Sequence, residues 1–108
     1  MIHSDVDSSI KQYHQLKQDH PDKYNFSEWQ LNKLGYELIR LKRNQDAIKI
    51  FKLNMEVYPE SYNTYDSLGE AYMLNDEKEL AIKSYAQSLV LNPKNFHAIE
   101  ILYKIIKK

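Results

Sequence analysis

Cysteine is absent from this 108-residue chain, which excludes disulfides, thiolate nucleophiles and every sulfur-ligated zinc site. Glycine occurs twice and proline three times, too few for the tight turns of an all-β protein or for a glycine-rich phosphate loop. Neither sign of charge is in excess, with 15 basic side chains against 15 acidic ones. Attraction to nucleic acid or anionic lipid is therefore not expected. Long apolar runs are missing as well, and nothing approaches the ~20 residues that cross a bilayer. Met1 to Asp7 lacks the basic and apolar regions of a signal peptide. The chain alone reads as one cytoplasmic, helix-leaning domain with neither nucleic acid nor membrane as partner, an address that an exported parent protein would change. At this length roughly two-thirds of the unfolded surface can be hidden, enough for a core.

The scarce residues are periodic. Gly35 and Gly69 lie 34 positions apart, and so do Pro59 and Pro93, Ala47 and Ala81, Phe51 and Tyr85, and Leu34 and Leu68. Leu34-Gly35 and Leu68-Gly69 fall on the first helix of each unit, Ala47 and Ala81 on the second. Small residues at the crossing are expected to let the two backbones approach, at a cost of roughly 1 kcal/mol of helix propensity per glycine. Phe51 and Tyr85 stand one turn beyond the alanines and are expected to fill the wedge between helices. Pro59 and Pro93 end the second helices, because proline disfavours helical geometry in the residue before it. These ten positions read as core and punctuation, without catalytic or cofactor chemistry.

A 34-residue period of leucine, glycine, alanine, aromatic residue and proline resembles the tetratricopeptide repeat, a pair of antiparallel helices. The resemblance implies an all-α fold, a right-handed α-α superhelix. Two full repeats are expected over residues 28–60 and 62–94. A weaker copy precedes them: Ser9-Ile10-Lys11-Gln12-Tyr13 stands as far before Pro21 as Ala47-Ile48-Lys49-Ile50-Phe51 stands before Pro59. Residues 5–20 thus read as the second helix of a degenerate half-repeat, followed by a link four residues longer than its counterpart. Ser27 is the expected N-cap of the next helix. Residues 95–107 read as a terminal capping helix, with Tyr103 where glycine would stand and Phe96, Ile99, Leu102 and Ile106 on one face. Lys104, Lys107 and Lys108 suit the negative pole of that helix. The order gives about six antiparallel helices in a single domain over 1–108, and a start in mid-repeat hints at excision from something longer.

The repeats carry a more particular likeness. Leu31-Asn32-Lys33-Leu34-Gly35-Tyr36, Phe51-Lys52-Leu53-Asn54, Tyr58-Pro59-Glu60-Ser61 and the run from Asn63 to Tyr72 are similar to a small repeat module at the C-terminal end of bacterial serine hydrolases, of the β-lactamase-like and esterase kinds. That likeness implies an accessory module of a larger enzyme whose catalytic domain lies elsewhere. It carries no catalytic residue onto this chain.

Other patterns carry little. Ser8-Ser9-Ile10-Lys11 has the serine-to-lysine spacing of penicillin-binding enzymes, but it opens an exposed helix and lacks the partner motifs. His3, His14, His20 and His97 include no i, i+4 pair of a helical zinc site. Asp76, Glu77 and Glu79 sit at a helix start, where they complement the dipole. No catalytic, metal or cofactor residue is assigned.

A groove lined by the first helices is the better candidate. Its expected residues are Trp29, Asn32, Lys33, Tyr36, Ile39 and Arg40, then Asn63, Asp66, Ser67, Glu70 and Leu74, with His97, Glu100 and Ile101 from the terminal helix. Asp66 and Glu70 would repel an acidic peptide end. Trp29, Tyr36 and Ile39 would form an apolar strip beside Arg40, either open to a ligand or covered by the first helix and its link. A second candidate is an association surface of Ala98, Ile101 and Ile105, where solenoid caps normally turn a polar face outward; the alternative packs those isoleucines on the preceding helix. The function expected is protein or peptide binding without catalysis. It would be the work of an accessory domain of a bacterial hydrolase, attached to its catalytic domain, or of a free-standing adaptor or homodimerisation module.

Overall fold

The structure, a computed structural model, describes residues 6–19 and 27–107. Pro21 and the expected long link lie outside the described residues. Six helices follow one another: α1 (Val6–Asp19), α2 (Glu28–Arg40), α3 (Asn44–Val57), α4 (Tyr62–Leu74), α5 (Lys78–Leu91) and α6 (Phe96–Lys107). Every regular element among the described residues is helical.

Local chemistry sets the boundaries, and it repeats. Ser27 caps α2 through a reciprocal box: its Oγ accepts the Gln30 N–H at 3.1 Å, while Gln30 Oε1 accepts the Ser27 N–H at 2.9 Å. Such a pair satisfies two donors the helix cannot satisfy itself. Residues 34 and 68 positions later, Ser61 and Asn95, precede α4 and α6. The turns between first and second helix are also twins. Lys42 and Asp76 both take the left-handed conformation at φ 62°. Arg43 N–H reaches Leu38 C=O at 2.8 Å, and Glu77 N–H reaches Tyr72 C=O at 2.8 Å. These six-to-one bonds close Schellman turns. Pro59 and Pro93 follow the ends of α3 and α5 as expected.

Helices α2 and α3 pack as one hairpin, α4 and α5 as the next, with α6 against α5 and α1 against α3. One apolar core runs the length of the stack, from Val6 through Leu38, Ala47, Phe51, Leu68, Tyr72, Ala81 and Tyr85 to Ala98 and Ile105. A smaller cluster of Tyr13, Leu31 and Leu53 secures α1. The overall dimensions of 46 × 27 × 18 Å are those of a stack in which each layer touches only its neighbours.

The glycines differ from expectation in what they make room for. A Cβ at Gly35 would fall inside contact distance of the Phe51 ring, with Cδ1 at 2.7 Å, and one at Gly69 would meet Tyr85 Cε2 and Cζ at 2.9 Å. Each glycine therefore admits an aromatic ring from the second helix of its own repeat, and the ring rather than the opposing backbone occupies the space. Leu34 is half-buried against the core and Leu68 wholly inside it.

A periodic polar tie went unread in the sequence. Buried Asn54 donates from Nδ2 to Glu28 C=O at 3.2 Å, and buried Ser88 donates from Oγ to Tyr62 C=O at 3.1 Å. Both anchor the end of a second helix to the first turn of its partner, 34 residues apart. Their signal was the period itself, which places a small hydrogen-bonding residue at the same step of each repeat.

Candidate functional site

The first helices, α2, α4 and α6, lie side by side, and polar side chains join them across one face. Residues 29, 33, 36 and 40 share a stripe of α2 at helical spacing. Trp29 is 67% exposed, and the Lys33 ammonium stands 5.1 Å from its ring centroid. Nothing among the described residues covers this tryptophan, and α1 packs on α3 instead. Asn32 accepts the Ser67 hydroxyl on Oδ1 at 2.6 Å. Tyr36 donates its phenol to Glu70 Oε1 at 2.8 Å and lies 3.4 Å from Ser67 Oγ, with its ring edge against Phe51. Between α4 and α6, Asp66 sits 3.3 Å from His97 Nδ1 and 3.4 Å from Asn95 Nδ2. Asn63 and Leu74 are exposed at the two ends of α4, and Glu100 is exposed on α6.

Three expected members leave the groove. Ile39 is half-buried and packs into the core, so the open apolar strip narrows to Trp29 and the rim of Tyr36. Arg40 pairs with Glu37 on its own helix; the i, i+3 spacing gives it a nearer carboxylate than any across the groove. The cation beside Trp29 is Lys33. Ile101 likewise turns into the core.

Burial and the two carboxylates set the electrostatics. The Tyr36 phenol is pushed up to about 12, chiefly by burial, with the Glu70 and Asp66 charges adding to it. Tyr85 is pushed up for the same leading reason, again with Asp66 and Glu70 contributing. Both phenols stay neutral donors near neutral pH. The centre of the face is therefore acidic and rich in hydrogen-bonding groups held by neighbouring helices, with an aromatic ring and an ammonium at one end. Such an arrangement presents acceptors to hydrogen-bond donors and a flat ring to apolar groups. Among the described residues no three histidine or carboxylate side chains group as a metal site would, and no helix is long and apolar enough to cross a membrane.

The second candidate surface is corrected by the structure. Ala98 and Ile105 are buried in the core, and Ile101 is half-buried. The reason is register. These residues fall 34 positions after Thr64, Ser67 and Ala71, all three buried on α4, and α6 uses the same face to seat on the stack. The outward apolar face is the other one, with Phe96 73%, Ile99 43%, Tyr103 61% and Ile106 68% exposed. Applying the repeat period to α6 residue by residue would have separated the two.

No protein-family model matches the chain. A crystal structure of MamA superposes with a TM-score of 0.67 and 26% identity, covering 95% of this chain and 58% of that one. A second MamA crystal structure gives 0.66 at 26% identity, with 95% and 54% covered. In sequence, 73 residues are 23% identical to Superkiller complex protein 3 of Homo sapiens, which is 68% of this chain and 5% of that protein. The chain thus spans little more than half of the matched structures and a small fraction of the human relative. With the 34-residue period and the stacked hairpins, these likenesses show a tetratricopeptide-like, all-α superhelical fold of the kind that serves as a protein-binding scaffold.

Proposed function

We propose that this protein is a protein–protein interaction module that receives an extended peptide segment along its first-helix face and performs no chemistry on it. The observation that carries this reading is Trp29, an exposed ring with Lys33 above it, at the end of an acidic row formed by Asp66 and Glu70. Exposed aromatics of this kind are the usual anchors of interfaces. The carboxylates select the partner: a segment with lysine, arginine or other donors suits them, and an acidic segment is repelled. The human relative is by name a component of a complex, which fits a binding role.

The likeness of the 31–72 run to the C-terminal module of bacterial serine hydrolases supports a finer version, in which the partner is a catalytic domain of the same parent protein. Both versions use the same face.

Trp29 is the sole tryptophan, so its emission reports occupancy directly. Titration with arrayed dodecapeptides of basic-aromatic and of acidic composition is expected to give saturable quenching with the first set only. Trp29→Ala, followed by a label on the peptide, should weaken that binding roughly tenfold or more. Equal binding of both sets, or binding indifferent to Trp29, would overturn the reading.

A further inference from the structure

Phe96, Ile99, Tyr103 and Ile106 are spaced three, four and three apart. That is the spacing of a coiled-coil seam. All four are exposed on a twelve-residue helix at the end of the stack, and with half-buried Leu102 the last three border an open groove against Leu89 of α5. In the repeats this side of a first helix holds the second helix of the same repeat: Leu68, Gly69 and Tyr72 occupy on α4 the places of Leu102, Tyr103 and Ile106, and all three are buried.

Tyr103 decides what can cover the face. At Gly35 and Gly69 the missing side chain leaves room for the ring of Phe51 or Tyr85. At 103 a phenol stands in that room, and a second helix bearing the repeat's aromatic residue has no place to put it. The face is shaped against continuation of the repeat pattern. A seam with knobs at heptad spacing is, by contrast, complementary to itself, as a two-fold interface requires.

Charge gives the direction. Lys104 and Lys107 lie in the last turn of α6 and Glu100 near its middle. Parallel pairing would gather four lysines at one end. Antiparallel pairing separates them, with Phe96 opposite Ile106 and Ile99 opposite Tyr103.

We propose that the exposed face of α6 pairs antiparallel with the same face of a second copy, forming a two-fold dimer. The peptide-binding reading does not enter this inference, because the seam residues of α6 are distinct from His97, which that helix contributes to the peptide face beside Asp66.

Sedimentation equilibrium of the full chain over ~10–500 μM is expected to show the mass rising from 12.9 kDa toward twice that value. Tyr103→Glu/Ile106→Glu, which alters only exposed side chains, should hold the mass at that of one chain while keeping the helical spectrum and its peptide binding. A wild-type chain that stays single throughout, or a charged variant that pairs as well as wild type, overturns the proposal. Disulfide trapping gives a second readout that does not require the charged variant to fold. The chain has no cysteine, so Phe96→Cys and Ile106→Cys each add a sole thiol. Mixed, the two variants should form the heterodisulfide, whereas Ile106→Cys alone should not couple across the roughly 15 Å that ten residues of antiparallel helix impose. Coupling of Ile106→Cys alone as fast as the mixture, or no heterodisulfide, would refute the antiparallel pairing.

Discussion

Helix α4 buries Leu68, Gly69 and Tyr72, whereas the residues 34 positions later on α6, Leu102, Tyr103 and Ile106, are half-buried or exposed. The helices share a register, seat on the preceding repeat through the same positions, and are comparably apolar on the side in question. They differ in cover. Helix α5 lies across α4, and its Tyr85 ring enters the space above Gly69. The same side of α6 has no described helix across it and carries a tyrosine where the glycine was. Burial in this stack is therefore decided by register and cover rather than by residue type: an isoleucine at 106 is 68% exposed and a tyrosine at the equivalent place on α4 is buried.

The largest break in that comparison is to remove the covering ring. Phe51 is completely buried over Gly35, and Phe51→Ala is expected to cost about 3–5 kcal/mol through lost burial and a cavity. Ile106→Ala, on the uncovered helix, should stay within about 0.5 kcal/mol of wild type at dilute concentration. Urea denaturation of the two variants under identical conditions measures both. Equal losses would mean that α6 is covered in solution even as a monomer.

Filling the glycine sharpens the same point with a smaller effect. Gly35→Ala returns about 1 kcal/mol of helix propensity but drives a methyl into a ring that has no exposed side to move toward, for which overpacking costs about 1–3 kcal/mol. The expected outcome is net destabilisation of up to roughly 2 kcal/mol at Gly35 and a near-neutral change at Gly69, where the clash is milder. In a Phe51→Leu background Gly35→Ala should become stabilising. If it stays destabilising there, the ring is not what the glycine serves.

Smaller again is the turn between the helices of each repeat. Lys42 and Asp76 both sit at φ 62°, a conformation that aspartate tolerates better than lysine. Lys42→Gly is expected to gain about 0.5–1 kcal/mol, a rise of a few degrees in Tm, and Asp76→Gly less. Thermal melts followed by circular dichroism would show the asymmetry between two otherwise superposable turns.

The fold was legible in the sequence because its determinants recur at one interval: Leu34/Leu68, Gly35/Gly69, Ala47/Ala81, Phe51/Tyr85 and Pro59/Pro93 mark the helices and their ends. The polar ties of Asn54 and Ser88 were there to be read, but their residue types differ, so they do not show as identities. The face of α6 was misread because Ile101 and Ile105 are as apolar as Ile99 and Ile106. Only the position of each relative to Thr64, Ser67 and Ala71 separates core from surface. On the groove, sequence named Trp29, Asn32, Tyr36, Asp66, Glu70 and His97, of which all but the exposed Trp29 bond between neighbouring first helices. It could not foresee that Arg40 prefers Glu37, since an intrahelical pair and a cross-groove contact begin from the same side chain.

The last prediction concerns the joint between first helices that α2 and α4 make through Tyr36 and Glu70. Burial is the main cause that pushes the Tyr36 phenol up to about 12, from 10.0 in the unfolded chain, with its bond to Glu70 working in the same direction. Below pH 10 both states hold the proton, and this residue gives stability no pH dependence. Between pH 10 and 12 the unfolded chain loses the proton while the folded one keeps it. Stability then falls as pH rises, and the loss levels off above the folded value. Tyr85 titrates in the same sense, so Tyr36→Phe should make the fall between pH 10 and 12 shallower without abolishing it. Denaturation midpoints at pH 8, 10, 11 and 12 give the slope, and a difference titration of tyrosinate absorbance shows whether one phenol ionises late. An unchanged slope in Tyr36→Phe would mean that the phenol lies open to water, and that the polar joint between α2 and α4 is not kept in solution.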